Sequence, residues 1–315
     1  MGPVVVLAGG TGGAKLARGI LDIVGDDLVV IANTGDDADV YGAHVSPDPD
    51  LITFWLADLI DERGWGLRDD TFAVIDALRA LGAETWFGLG DRDLAWCIER
   101  RRRLDSGETP TQALAALAAT AGVRARVLPM CDEQVRTRVR AHGGWHDFQD
   151  FMIRGKGQGP VQDVRFDGIE AARPSDAVLE ALADARAIVI GPSNPVISIR
   201  PILSVPGMRD ALRVSPAPVV AVSPVVGGAV LKGPTAAFMD WAGLSLDAAG
   251  VAAAYGSRCA DGLLDAVIAD APSAAADVPV HIIDTLMADA AARRRVAEQT
   301  LALAGELARR SGTGA

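Results

Sequence analysis

Short runs of consecutive apolar residues recur along the chain and alternate with segments whose apolar residues repeat at helical spacing. The continuous runs predict strands at 3–8, 28–32, 85–89, 125–128, 187–190, 218–222 and 279–283. Unbroken runs of this kind mark strands covered on both faces, as in a parallel sheet. Helices are predicted between them, at 14–24, 50–62, 71–81, 91–103, 110–120, 175–184, 206–212 and 234–241. The alternation predicts an α/β fold with a doubly wound, mostly parallel, Rossmann-like sheet.

The pattern changes between 131 and 174, where strand-like pieces at 135–140, 145–153 and 161–166 are separated by glycines. We predict a smaller antiparallel β insertion there, on a nucleotide-binding core made of 1–130 and 175–315. The basic residues of the insertion either face an anionic ligand or keep an exposed edge soluble; they are Arg136, Arg138, Arg140, Arg154 and Lys156.

Two helical segments add further expectations. Arg100 to Arg103 follow Glu99 on the helix predicted at 91–103, and a basic run of this kind is typical of a solvated face. The alanine-rich stretch at 287–308 predicts a packing helix that would contribute to a homodimer.

Composition narrows the class of partner. The chain has 315 residues, of which 50% are hydrophobic and 23% charged, values that suit an ordinary α/β protein. A net charge of -11 argues against nucleic acid, whose binding rests on lysine and arginine. The three cysteines are too few and too scattered for a disulfide framework or a CxxC zinc site. We expect a cytoplasmic protein with small-molecule substrates and no membrane span.

A glycine-rich loop follows the first predicted strand. Gly9, Gly10, Thr11, Gly12 and Gly13 lead from this strand into a helix, the context of a phosphate-binding loop. Backbone amides of glycines approach an anion closely, and the helix dipole favours negative charge at the same point. The spacing is neither that of a Walker loop nor a GxGxxG fingerprint, and a tight turn is the alternative interpretation.

Two acidic pairs lie near that loop in the predicted fold. Asp36 and Asp37 follow the second strand, and Asp48 and Asp50 precede a helix. Carboxylates beside a phosphate site indicate a divalent cation, because hard cations bind both kinds of oxygen. The alternatives are a contact to a ribose hydroxyl for the first pair and helix capping for Asp50.

Two more loops follow predicted strands, at 86–93 and 191–199. Loops that follow parallel strands emerge at one edge of the sheet, where open α/β folds bind ligands. Asp91 or Asp93 could instead cap the helix that starts there. The four histidines show no metal-ligand spacing, and no Ser/His/Asp arrangement is apparent.

Eight segments spread over nearly the whole chain resemble the 2-phospho-L-lactate transferases of coenzyme F-420 biosynthesis, which include bacterial members that use phosphoenolpyruvate. These segments are GGTGGAKL (9–16), NTGDD (33–37), SPDPD (46–50), GDRDLA (90–95), HDFQDF (146–151), GPSNP (191–195), VSPVVG (222–227) and DTLM (284–287). Their number and order make the resemblance specific.

The resemblance implies a phosphotransferase that moves a phosphoester-linked three-carbon acid, phosphoenolpyruvyl or 2-phospholactyl, from a GDP-activated donor to the deazaflavin Fo and releases GMP. It implies Mg²⁺ held by Asp36, Asp48 and Asp50, and deazaflavin contacts from Asp50, Gly88 and Asp91. Asp50 is also the candidate catalytic base. The nucleotide would be held by Gly9, Gly10, Thr11, Gly12, Gly13, Lys15, Ser193 and Asn194.

Five residues depart from the pattern common in that family: Asp39, Leu51, Trp96, Cys97 and Arg200. Several of them fall in or near the implied deazaflavin pocket, so they affect the expected binding of the acceptor more than that of the nucleotide. The alternative function is a regulatory protein that binds a nucleotide or nucleotide sugar, as in the gluconeogenesis-factor-like group. The segments 90–93 and 193–195 favour the enzyme over that alternative and over a dinucleotide oxidoreductase.

Overall fold

A computed structural model describes residues 2–230, 233–273 and 276–312. The strands are β1 (Val4–Ala8), β2 (Leu28–Ala32), β3 (Ala38–Val40), β4 (Ala43–Val45), β5 (Arg126–Pro129), β6 (Arg136–Ala141), β7 (Gly144–Asp147), β8 (Asp163–Asp167), β9 (Ala187–Ile190), β10 (Val219–Val222), β11 (Val225–Val226), β12 (Ala229–Val230), β13 (Ala266–Ala269) and β14 (Val280–Ile282).

The α-helices are α1 (Gly10–Val24), α2 (Pro47–Leu56), α3 (Ala73–Ala80), α4 (Asp91–Asp105), α5 (Pro110–Thr120), α6 (Phe148–Ile153), α7 (Asp176–Ala183), α8 (Arg200–Ser204), α9 (Met208–Val214), α10 (Thr235–Trp241), α11 (Ala248–Tyr255) and α12 (Ala290–Gly312). A π-helical turn, Pro195–Ile199, precedes α8. Short 3-10 turns occur at Gly25–Asp27, Ile169–Ala171 and Arg258–Ala260.

The main sheet confirms the predicted fold class. Within the described residues it has seven strands in the order β14-β13-β10-β9-β1-β2-β5, and every neighbouring pair is parallel. Strands β1, β2, β9 and β10 are buried along their whole length, which is why they read as continuous apolar runs. The chain runs outward from β1 in one direction through β2 and β5, and later in the other direction through β9, β10 and β13. The switch point therefore lies between β1 and β9.

The sequence prediction was wrong at two places in the sheet. Residues 85–89 form no strand, because the side-chain hydroxyl of Tyr41 satisfies the backbone of Phe87: it accepts from Phe87 N at 2.8 Å and donates to Phe87 O at 3.1 Å. The sequence pattern also missed β13, which completes the sheet between β10 and β14. β13 has four residues, two of which are alanines, so its apolar run in the sequence is short.

The antiparallel strands β7, β6 and β8 form a separate three-stranded sheet, and all three lie inside the predicted insertion 131–174. The strand expected at 145–153 ends at Asp147 and continues as α6. Phe148 and Phe151 of α6 pack with Phe238 of α10, which attaches the insertion to the core beside the switch point. The division of the chain into core and insertion at these boundaries stays a prediction.

Two hydrophobic layers cover the faces of the main sheet. One includes α7, α9 and α11, and the other includes α1, α2, α5 and α12. In the described part of the chain, no helix combines the length and apolar character needed to cross a bilayer.

Candidate active site

A cleft of about 690 Å³ opens at the carboxyl edge of the sheet, at the switch point between β1 and β9. Open α/β sheets bind ligands at this position, because the loops from the two neighbouring strands diverge there. The cleft is lined by the loops after β1, β9 and β10, by the start of α2, by α6 of the insertion and by residues 285–288. Both halves of the sheet and the insertion therefore contribute to one site.

The glycine loop forms one wall. Helix α1 begins at Gly10, earlier than the predicted residue 14, so Gly10, Thr11, Gly12 and Gly13 are its first turn, whose amides have no partner within the helix. A Cβ at Gly12 would lie 2.1 Å from the carbonyl oxygen of Pro192, so only glycine lets the two loops meet here. This wall presents backbone N–H groups to an anion.

Asp48 closes the base of the loop. Its carboxylate accepts from the Gly10 amide at 2.7 Å and from Asn33 Nδ2 at 2.9 Å. Asn33 Oδ1 accepts in turn from the Gly35 amide at 2.9 Å and fixes the turn that leads to Asp36. Asn33 is fully buried and is a positioning residue that the sequence analysis missed. The sequence feature that could have identified Asn33 is its position directly after β2 and directly before the TGDD segment.

Asp36 and Asp48 form a buried acidic pair that lines the cleft. Burial raises the pKa of Asp36 well above its ordinary value, and the charges of Asp48 and Asp37 raise it further. Burial also raises the pKa of Asp48, to about 6. Asp36 Oδ1 has no hydrogen-bond partner among the described residues. An unpartnered carboxylate oxygen beside a second carboxylate fits the ligand preference of Mg²⁺.

Two further buried groups of the cleft lack hydrogen-bond partners within the described structure: Asn194 Nδ2 and Thr285 Oγ1. Asn194 is fixed because its Oδ1 accepts from the Val196 and Ile197 amides, so its Nδ2 is the group left for a ligand. Since buried polar groups are nearly always hydrogen-bonded, these atoms indicate a polar ligand.

The remaining predicted nucleotide residues gather around the same wall. Gly9, Lys15 and Ser193 line the cleft. Ser193 Oγ accepts from the Gly9 amide at 3.1 Å, and Lys15 Nζ donates to Met287 O at 3.0 Å. Gly13 lies just beneath, where a Cβ would be 2.6 Å from Ser193 Oγ. The structure therefore brings all eight predicted nucleotide residues together.

Asp50 lies elsewhere, although it was predicted to bind metal and acceptor and to act as the base. Arg100 holds its carboxylate in a bidentate pair, and Trp96 Nε1 donates to it at 2.8 Å. Arg100 also donates to His44 O at 3.0 Å and is only 3% exposed. The prediction of a solvated face is therefore wrong for Arg100. Asp50 does not line the cleft, and burial raises its pKa while the Arg100 guanidinium opposes that rise.

Asp37 also faces away from the cleft. Ser46 Oγ donates to its Oδ1 at 2.7 Å, and His44 Nε2 lies 3.1 Å from its Oδ2. These contacts tie the hairpin of β3 and β4 to the start of α2. Asp37 therefore belongs to the scaffold beneath the acidic pair.

Gly88 and Asp91, the other predicted acceptor residues, are also remote from the cleft. Gly88 is exposed, and Asp91 accepts from the Ala73 and Val74 amides at 3.0 and 2.9 Å, which caps α3. Asp70 in return accepts from the Arg92 and Asp93 amides and caps α4. Asp91 therefore caps a helix, as the alternative interpretation allowed. That helix is α3, and not α4, which begins at Asp91 itself.

An apolar mouth borders the polar wall of the cleft. It combines Trp65, which is 52% exposed, with Phe148, Met152 and Ile153 of α6. The Arg63 guanidinium stacks 4.5 Å from the Trp65 ring. Flat aromatic groups bind well between such side chains. The five basic residues of the insertion do not line the cleft; Arg138 pairs with Asp147 and Arg154 with Glu84.

The chain is similar to known proteins over nearly its whole length. The family model described as 2-phospho-L-lactate transferase CofD matches residues 4–298. A phosphoenolpyruvate transferase from Kitasatospora aureofaciens is 38% identical and one from Streptomyces griseus subsp. griseus 40% identical; each alignment covers 96% of this chain and 98% or 99% of the relative. A 2-phospho-L-lactate transferase from Methanosarcina mazei is 39% identical over 80% of this chain and 83% of its own. A crystal structure of a UPF0052 family member from Bacillus halodurans shares the fold, with a TM-score of 0.60 at 17% identity over 96% of this chain and 99% of that one.

Proposed function

The chain belongs to the 2-phospho-L-lactate transferase CofD family, and we propose that it moves a phosphoenolpyruvyl or 2-phospholactyl unit from a GDP-activated donor to the deazaflavin Fo and releases GMP. It is a transferase, and the proposed reaction is a step of coenzyme F-420 biosynthesis. The observation that carries the proposal is the cleft itself. One wall offers amides for phosphates, and the buried acidic pair with its unpartnered oxygen lies beside that wall.

In the proposed reaction the acceptor hydroxyl oxygen attacks the phosphorus that bears the three-carbon acid. The bond between this phosphorus and the bridging oxygen breaks, GMP leaves with the electron pair, and the hydroxyl proton passes to a base, the role predicted for Asp50. Amides of Thr11 to Gly13 and the Lys15 ammonium would stabilise negative charge on the phosphates. Asn194 Nδ2 and Thr285 Oγ1 would bind polar atoms of the donor nucleotide.

Asp36 and Asp48 would hold Mg²⁺, which supplies positive charge to the reacting phosphates when it is bound. Asn33 keeps Asp48 oriented and also holds the turn that carries Asp36. Asp50 is a less suitable third ligand, because Arg100 and Trp96 occupy both of its oxygens. The acidic pair therefore provides the proposed metal site.

The apolar mouth of Trp65, Phe148, Met152 and Ile153 would take the deazaflavin ring, with its ribityl chain directed towards the acidic pair. Acceptor contacts from Asp50, Gly88 and Asp91, and a base role for Asp50, stay predictions. They require the acceptor to reach beyond the cleft, towards α4. The homodimer also stays a prediction.

The test is GMP release by the purified protein with Mg²⁺, Fo and each GDP-linked donor, measured against a reaction without acceptor. We expect acceptor-dependent GMP formation that chelation by EDTA abolishes and excess Mg²⁺ restores. GDP binding without any acceptor-dependent GMP would instead support the regulatory nucleotide-binding alternative. Parallel assays with phosphoenolpyruvyl and 2-phospholactyl donors identify the acid that the protein uses.

A further inference from the structure

A second pocket, here called the side pocket, adjoins the cleft. It has a volume of about 450 Å³ and lies between α1, the last turn of α2 and the loop 57–72. Lys15 and Ala288 line both cavities, so the side pocket begins where the cleft passes Lys15.

Positive charge predominates in the side pocket. Lys15, Arg63 and Arg68 line it, and the Arg293 guanidinium stacks 5.1 Å from the ring of Trp55, a further lining residue. Two acidic residues, Asp61 and Glu62, are also present. Asp61 accepts from Arg63 Nε at 2.6 Å and from the Arg63 amide, so these two charges compensate each other. Lys15 and Arg68 then face one remaining lining carboxylate, that of the exposed Glu62.

Trp55 supplies an independent sign of a ligand. Its side chain is 92% buried, since only 8% is exposed, and its Nε1–H has no acceptor among the described residues. Arg293 Nε, on the guanidinium that stacks on Trp55, is also buried without a described partner. A buried donor without an acceptor is destabilising, and an oxyanion bound there would accept its hydrogen bond.

We propose that the side pocket binds a small oxyanion, either the carboxylate of the three-carbon acid on the donor or free phosphate. Trp55 Nε1–H, Arg68 and Lys15 are its donors. The inference rests on the proposed function where the carboxylate is concerned. The pocket adjoins the phosphate wall at Lys15, so an acid group attached to the donor diphosphate extends towards it.

The experiment compares Arg68→Met and Trp55→Phe with the wild type and with a matched control, Arg124→Met. Arg124 is 81% exposed and pairs with Asp26 near the start of β5. Three quantities are measured for each variant with Mg²⁺ present: the Kd of GDP, the KM of the GDP-linked donor and the Kd of inorganic phosphate. Thermal unfolding midpoints verify that each variant is folded.

If the donor carboxylate is the ligand, Arg68→Met raises the donor KM about tenfold or more, as expected for loss of a charged hydrogen bond. Trp55→Phe raises it about threefold to tenfold, while the Kd of GDP stays unchanged in both. If free phosphate is the ligand, its Kd rises in both variants and the donor KM does not. Unchanged donor KM and phosphate Kd in folded variants would overturn the proposal. Absence of turnover in the wild type would contradict the proposed function alone, because the phosphate measurement remains informative.

Discussion

Asp48 and Asp50 stand two residues apart in the first turn of α2, and both are almost fully buried, yet their surroundings differ. Asp48 lines the cleft and contacts only amide N–H groups, whereas Asp50 is neutralised by Arg100. Residues two apart on a helix point to different sides, so one turn serves two regions. The difference teaches that the repeated Pro-Asp pattern combines a carboxylate that lines the cleft with one that is held in a buried ion pair.

The largest effect is expected at the cleft. Asp48→Asn removes one of the two charges of the acidic pair, and we expect kcat to fall about 100-fold or more because charge stabilisation at the reacting phosphates is weakened. Mg²⁺ affinity should fall in parallel, as measured by titration of activity with the metal. Asp105→Asn, at the exposed end of α4, is the control and should match the wild type. A wild-type response to Mg²⁺ in Asp48→Asn would remove Asp48 from the metal site.

The second largest effect is expected on stability, at the ion pair of Arg100 and Asp50. Arg100→Met leaves the Asp50 carboxylate buried without its partner, and we expect the free energy of unfolding to fall by about 3–5 kcal/mol in urea titrations. The double variant Arg100→Met/Asp50→Leu should recover much of that loss, because an apolar pair has no buried charge.

Turnover per folded molecule decides between the two roles of Asp50. In Asp50→Asn it should stay within a few-fold of the wild type if Asp50 only positions α2 against α4. A loss of turnover with an intact fold would instead support the base role predicted from the family resemblance.

The smallest expected effect is a pH dependence of folding stability caused by Asp93, which lies beside the ion pair of Asp50 and Arg100. Burial, together with the charges of Asp50 and Asp70, raises the pKa of Asp93 to about 7, although the Arg100 charge opposes the rise. A carboxyl whose folded pKa lies above its unfolded value contributes stability at acidic pH and loses it as the pH rises through about 7. Asp93→Asn should therefore unfold at higher urea than the wild type at pH 8, with a smaller difference near pH 4. An identical pH profile for both proteins would contradict the assignment, and Asp163→Asn, on the exposed start of β8, is the control.

Local patterns in the sequence were sufficient for most of the fold. Strands such as β1 and β9 are recognisable because both of their faces are buried, and helix α5 has its predicted bounds because Thr109 and Gln112 form a capping box. The convergence of the glycine loop and the loop after β9 on one wall of the cleft was predictable for a similar reason. Their residues lie in short segments that directly follow strands.

The features that the sequence analysis did not predict depend on contacts between residues that are far apart in the chain. In the sequence, Arg100 belongs to a run of basic residues typical of a surface. In the structure it is buried and contacts two residues far away in the chain, Asp50 and His44. Residues 85–89 read as a strand, and only the Tyr41 hydroxyl replaces the hydrogen bonds of a sheet. No local spacing encodes these contacts, and they decide which carboxylates remain available to a ligand.

The walls of the cleft come from different parts of the chain, and this has a consequence for how such enzymes diversify. The charged groups come from the segments after β1 and β2 and the start of α2, whereas the apolar mouth comes from α6 of the insertion and from Trp65. The charged groups and the apolar mouth are thus held by separate stretches of sequence. Exchange of the insertion or of the loop around Trp65 could yield a new substrate preference during evolution without a new arrangement of the glycine loop and the acidic pair.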